Sequence, residues 1–87
     1  MSEAAFVYLL RCRDDSLYCG WTSDLPRRFA EHAAGRASRY TRSRLPVELI
    51  WSTTLGSRSE AMREEARIKR LSRTEKLRLV HTGRRMR

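Results

Sequence analysis

The spacing of apolar residues changes along this chain, and each change marks an element. Residues 6–12 (FVYLLRC) are apolar, open on aromatic and β-branched side chains, and predict a strand. Asp14, Asp15 and Ser16 predict a turn, and residues 17–21 (LYCGW) the return strand of a hairpin. Ser23 and Asp24 are cap candidates for a helix with Pro26 in its first turn, ending near Ala34 where Gly35 supplies the stop. Residues 36–44 (RASRYTRSR) lack an apolar period and predict a loop. Pro46 opens a third strand over residues 47–55 (VELIWSTTL). Beyond Gly56, Ser57 and Glu60 have the spacing of a capping box and start a second helix. Ser72 and Glu75 repeat the box and predict a bend into a third helix ending near Gly83, with residues 84–87 frayed. The order β-β-α-β-α-α predicts an α+β domain, a small three-stranded antiparallel sheet flanked by helices.

The hairpin carries a geometric expectation. A three-residue turn at Asp14–Ser16 would pair Arg13 with Leu17 and Cys12 with Tyr18. Side chains alternate along strands, so Tyr8 and Tyr18 would share one face while Cys12 and Cys19 lie on opposite faces.

Polar residues interrupt both longer helices where apolar ones belong. At about 100° per residue, Leu25, Phe29 and Ala33 form the inward stripe of the first helix. Arg28 and His32 fall on its flank, one turn apart, whereas Arg27 faces solvent. An arginine lying over an apolar edge beside a satisfied histidine would produce the same pattern. In the second helix Glu65 falls among Ala61, Met62 and Ile68, with Glu60 and Glu64 outward. An inward carboxylate needs a compensating partner. A metal or catalytic site is favoured, and an ion pair with Arg28 or Lys69 is the alternative.

Composition narrows the partner. The 87 residues suffice for one domain, with its core at about residues 6–80. Against 10 Asp and Glu stand 19 Lys and Arg, giving a net charge of +9 and a pI near 11.0. This surplus points to a polyanion, usually nucleic acid. All the basic residues except Lys69 and Lys76 are arginines, a bias that GC-rich coding would also produce. Residues 1–6 show no signal-peptide pattern, no apolar run approaches a membrane span, and two cysteines are too few for a disulfide framework or zinc cluster. A cytoplasmic protein with no membrane contact is expected.

Val7-Tyr8-Leu9 and Tyr18-Cys19-Gly20 resemble the two name motifs of the GIY-YIG nuclease superfamily. Residues 24–32 (DLPRRFAEH) are similar to its D-x-x-x-R-x-x-x-H helix, and Glu65 stands where the family carries a metal-binding glutamate. The tract Tyr40-Thr41-Arg42-x-Arg44-x-Pro46 and the later Ser59-Glu60-Ala61…Glu65…Lys69 resemble the small stand-alone bacterial UPF0213 group. Trp21 replaces the Lys or Ser that some relatives place after the glycine, and an asparagine found near the end of some domains has no match.

The resemblance implies a Mg²⁺- or Mn²⁺-dependent endonuclease acting on nucleic acid, DNA rather than RNA, with single-stranded or structured DNA favoured and a link to DNA repair. It implies that Glu65 holds the metal, Arg28 clamps the scissile phosphate, Tyr8 is general base and Tyr18 orients water or phosphate. His32, with a reference pKa near 6.5, would receive the Tyr8 proton. Ordinary hairpin packing is the alternative for both tyrosines. Arg36, Arg39, Arg42, Arg44, Lys69, Arg73 and Lys76 would contact the nucleic-acid backbone, with Tyr40 stacking on a base. Two other readings are a non-catalytic nucleic-acid-binding module and a nuclease subunit that needs a protein partner for targeting.

Overall fold

The computed structural model describes residues 4–85, and of residues 83–85 the backbone alone. Its elements are β1 (Ala5–Arg11), β2 (Leu17–Thr22), α1 (Leu25–Ala33), α2 (Arg39–Arg42), β3 (Glu48–Leu55), α3 (Arg58–Lys69) and α4 (Arg73–Arg85). The strands form one antiparallel sheet in the order β2-β1-β3, so the fold is the expected α+β.

The hairpin loop lies one residue earlier than expected. Cys12 N–H donates to the Ser16 carbonyl at 2.9 Å, closing a loop of Arg13, Asp14 and Asp15. Two side chains favour this placement. Asp14 accepts from Ser16 N–H at 3.1 Å, and Asp15 takes the left-handed conformation (φ 71°) that aspartate tolerates better than most residues. Tyr8 therefore pairs with Gly20 and Leu10 with Tyr18, two residues out of the expected register. A shift of two preserves the alternation of faces, so Tyr8 and Tyr18 still share one side and Cys12 and Cys19 do not.

Local chemistry sets the helix ends. The Asp24 carboxylate accepts from Arg27 N–H at 3.2 Å, and Gly35 leaves α1 at φ 78°. Ser57 accepts from Glu60 N–H at 3.2 Å, but Glu60 reaches back to Gly56 N–H at 3.0 Å rather than to the cap itself. Ser72 and Glu75 form the reciprocal box, at 3.2 and 2.9 Å. The expected loop over residues 36–44 contains α2, which has no apolar period because it is a single turn capped by Ser38. α4 runs through Gly83 to Arg85; of the residues expected to fray, 86 and 87 lie outside the described residues. The Leu45–Pro46 peptide is cis.

Both faces of β1 are covered. Ala5, Val7 and Leu9 join Cys19, Ala61, Ile68 and Val80 in the apolar core beneath α3 and α4. A bulge at Leu9/Leu10 lets the consecutive Ile50 and Trp51 both pack against that core. Tyr8, Leu10 and Cys12 are buried outside this cluster, on the other face. There α1 turns His32 inward, fully buried, while Ala33 is exposed; the inward stripe is centred on the histidine, not on the alanine. On α3, Met62 is exposed and Glu64 is only half-exposed, so the inward arc is centred on Ala61 and Ile68.

Candidate active site

The strand pairing accounts for the position of Tyr8. A Cβ on the opposing Gly20 would lie 2.5 Å from the Tyr8 hydroxyl oxygen, so only glycine leaves room for the phenol to cross β2. The hydroxyl meets His32 Nε2 at 2.9 Å, and the two rings pack edge to face. His32 Nδ1 lies 2.9 Å from the hydroxyl of Thr41, which is also fully buried. Thr41 Oγ1 is 2.9 Å from Ser38 Oγ, the α2 cap. A continuous polar chain thus runs from the central strand through α1 to α2.

Tyr18 approaches the same imidazole edge-on at 5.1 Å between ring centroids and stacks on Tyr40 at 5.9 Å. The Arg44 guanidinium lies 3.9 Å from the Tyr40 ring centroid and is held by Asp14 at 3.1 Å. Tyr40, expected to receive a base, already packs against Tyr18 and Arg44.

Burial governs the electrostatics. It pushes the Tyr8 phenol up to about 12, against the opposing pull of the adjacent Arg28 guanidinium. Burial, with Arg28 adding to it, pushes His32 down to about 4. The histidine is therefore neutral at neutral pH and offers a free lone pair. Arg28 pairs with Glu31 at 3.0 Å, and Arg27 pairs with the same carboxylate at 3.6 Å. Both arginines line a cavity of about 370 Å³ at the end of β2, together with Trp21, Asp24 and Arg58 from the start of α3.

A family model for the GIY-YIG catalytic domain matches residues 4–78. The chain belongs to the GIY-YIG family. A UPF0213 protein of Oceanobacillus iheyensis is 49% identical over 80 residues, covering 92% of this chain and 93% of its own. One from Natronomonas pharaonis is also 49% identical, covering 92% and 94%. The solution NMR structure of a UPF0213 protein from Bacillus halodurans superposes with a TM-score of 0.59 at 43% identity, over 91% of this chain and 84% of that one.

Within this GIY-YIG domain Glu65 is paired with Lys69 rather than bonded to Tyr8 or His32. Its carboxylate, 19% exposed, is 3.2 Å from Lys69 Nζ; no hydrogen bond or ion pair among the described residues joins it to Arg28 or Tyr8. The ion pair foreseen as the alternative for Glu65 is present, with Lys69 as the partner. Its charge is felt at Cys19 on β2, whose thiol burial and then Glu65 push up to about 11. α3 packs on the edge strand β2, and α1 borders the end of the same strand at the cavity.

The donor set fits a hard divalent ion of the magnesium type. Such an ion needs one or two carboxylates, with waters and substrate phosphate supplying the remaining oxygens. Glu65 is one largely buried carboxylate whose cationic neighbour is more than half exposed. Among the described residues no group of three His, Cys, Asp or Glu forms an all-protein cage.

The other basic residues fall into separate groups. Arg36, Arg39 and Arg42 surround a shallow cavity of about 300 Å³ after α1. Arg73, which donates to the Asp15 carbonyl, and Lys76 border another of about 240 Å³ beside Ser16 and Leu17. Arg44 and Lys69 are occupied by Asp14 and Glu65. Sequence reasoning missed Arg58, which reads as an ordinary first-turn residue, and within an apparent loop it missed Ser38 and gave Thr41, named only in the UPF0213-like tract, no role. The Ser38-x-x-Thr41 spacing, with serine as cap, is the signal that could have found the last two.

Proposed function

We propose that this protein is a divalent-metal-dependent endonuclease that hydrolyses phosphodiester bonds in DNA, single-stranded or structured DNA being preferred. The observation that carries this reading is the buried Tyr8 hydroxyl, 2.9 Å from His32 Nε2 and under the charge of the Arg28 guanidinium, on a GIY-YIG catalytic domain.

Hydrolysis requires a water deprotonated as it attacks and charge neutralised on the phosphoryl oxygens. A phenol titrating near 12 is no standing base at neutral pH. It functions by exchange: Tyr8 takes the water proton while passing its own to His32 Nε2. The new oxygen–phosphorus bond forms, the bond to the leaving 3′-oxygen breaks, and that oxygen takes a proton from solvent. His32 then passes its extra proton back to Tyr8, which releases one to solvent, and both groups are restored. The phosphate supplies negative charge near the imidazolium, which burial foremost and then the Arg28 charge disfavour.

Arg28 is the phosphate clamp, its planar fork suited to two oxygens once Glu31 yields a donor. Tyr18, edge-on to His32, walls the site and orients the water. Glu65 would hold Mg²⁺ or Mn²⁺, and the chemistry supplied there is charge neutralisation on the phosphoryl and leaving oxygens. Arg36, Arg39, Arg42, Arg73 and Lys76 contact backbone phosphates and position the strand without reading its sequence.

The deciding experiment incubates purified protein with labelled single-stranded, branched and duplex DNA, and with RNA, in Mg²⁺, Mn²⁺ or EDTA. Cleavage of a DNA substrate with metal, abolished by EDTA, is expected. Binding that ignores EDTA, without product from any substrate, would leave a non-catalytic binding module.

A further inference from the structure

We propose that Thr41 is a positioning residue for the Tyr8–His32 pair: its hydroxyl holds the imidazole proton on Nδ1 and keeps Nε2 open to the Tyr8 proton. Its consequence for rate rests on the nuclease reading above, while the tautomer is a property of the folded protein alone.

Satisfaction of the buried polar groups sets which way the hydrogen bonds run. The Arg28 guanidinium, whose charge acts on the phenol, has only donors and offers the Tyr8 hydrogen no acceptor. Tyr8 is 2% exposed and must place its own hydrogen on an acceptor. The acceptor within reach among the described residues is His32 Nε2 at 2.9 Å. A neutral imidazole with a bare Nε2 carries its proton on Nδ1. That N–H then needs an acceptor, and Thr41 Oγ1 stands 2.9 Å away, fully buried.

The Thr41 hydroxyl hydrogen passes onward to Ser38, with Oγ at 2.9 Å and the carbonyl at 3.5 Å. Ser38 in turn accepts from Thr41 N–H at 3.1 Å, so the first turn of α2 fixes where the hydroxyl sits. Every donor points from Tyr8 toward α2, and no buried side-chain polar atom among the described residues is left without a partner. With the opposite tautomer, Nε2–H would donate to the Tyr8 oxygen and the relay would have no proton acceptor.

The test compares Thr41→Val, which keeps the volume but loses the hydroxyl, with Thr41→Ser, which keeps it. Nitrogen-15 NMR of the His32 ring at neutral pH reads the tautomer directly; His81, exposed on α4, is the other histidine to be assigned. Wild type and Thr41→Ser are expected to show protonated Nδ1 and bare Nε2, and Thr41→Val a shift of the proton toward Nε2. Cleavage should fall at least about tenfold in Thr41→Val and recover in Thr41→Ser, as fixing a histidine tautomer can matter still more elsewhere. A wild-type ring protonated on Nε2 would overturn the proposal, and so would a Thr41→Val protein that keeps full activity. If Thr41→Val does not fold, wild type and Thr41→Ser still decide the tautomer. The expected tautomers in a protein that cuts no nucleic acid would uphold the Thr41 assignment while overturning the nuclease reading.

Discussion

The Tyr8 phenol lies across Gly20: a Cβ there would stand 2.5 Å from the hydroxyl oxygen and 2.7 Å from Cζ. Tyr8 has little room to retreat, being buried and hydrogen-bonded to His32. Gly20→Ala should therefore destabilise the domain by about 1–3 kcal/mol, the usual range for overpacking. Cleavage should fall further than the folded fraction does, because the hydroxyl is displaced from Nε2. Urea unfolding and cleavage assays on one sample measure both, and wild-type values in each would refute the close fit.

Stability should fall as the medium is acidified through the range of His32. Its folded pKa, near 4, lies below the unfolded reference of about 6.5, so the unfolded chain binds the extra proton first. The stabilisation is present above about pH 6.5 and is lost on descending toward 4, at a cost on the order of 3 kcal/mol. Asp14 and Glu64 are also held below their ordinary values, which are 3.8 and 4.5, so their losses begin lower. Melting temperatures from pH 7 to pH 4.5 should decline in wild type and stay flatter in His32→Gln. Parallel curves would show that the histidine is not held neutral by burial.

Glu65→Gln should separate catalysis from stability. The Lys69 partner is 55% exposed, and pairs of that kind contribute about 0–1 kcal/mol. Melting should therefore change by little. Cleavage should drop roughly a hundredfold or more, because the amide lacks the charge that holds a hard cation, while DNA binding persists. Full activity in this variant would eliminate Glu65 as the metal ligand.

Backbone contact should appear as salt dependence. Affinity for duplex DNA should fall with a log–log slope of roughly −0.9 for each phosphate neutralised, and less on single strands. Arg39→Ala and Arg42→Ala, both on exposed positions of α2, should each reduce the slope by about one unit. Arg44→Ala should instead disturb the Tyr40 packing and the Asp14 pair. A wild-type affinity independent of salt would exclude a phosphate-tracking surface.

Several features of the site were legible from residues close together in the chain. The caps at Asp24, Ser57 and Ser72 and the stop at Gly35 are chemistry within four residues, and they delimit the helices. Strand alternation put Tyr8 and Tyr18 on one face although the register was misplaced, because a two-residue slip leaves sides unchanged. Spacing also marked Arg28, His32 and Glu65 as inward exceptions.

Tertiary structure decided which of these groups meet. The Lys69 alternative for Glu65 was recognisable as a neighbour one helical turn away, but burial and proximity to β2 were not. No local period links His32 to Thr41, Tyr18 to Tyr40, or Arg44 to Asp14; a one-turn helix and a returning loop bring them together. Nor does sequence say that His32 titrates near 4, since that value comes from burial against β1 and from the Arg28 charge. Caps and periods act over one turn, whereas desolvation and the direction of a hydrogen-bond chain exist only after distant segments close around the same atoms.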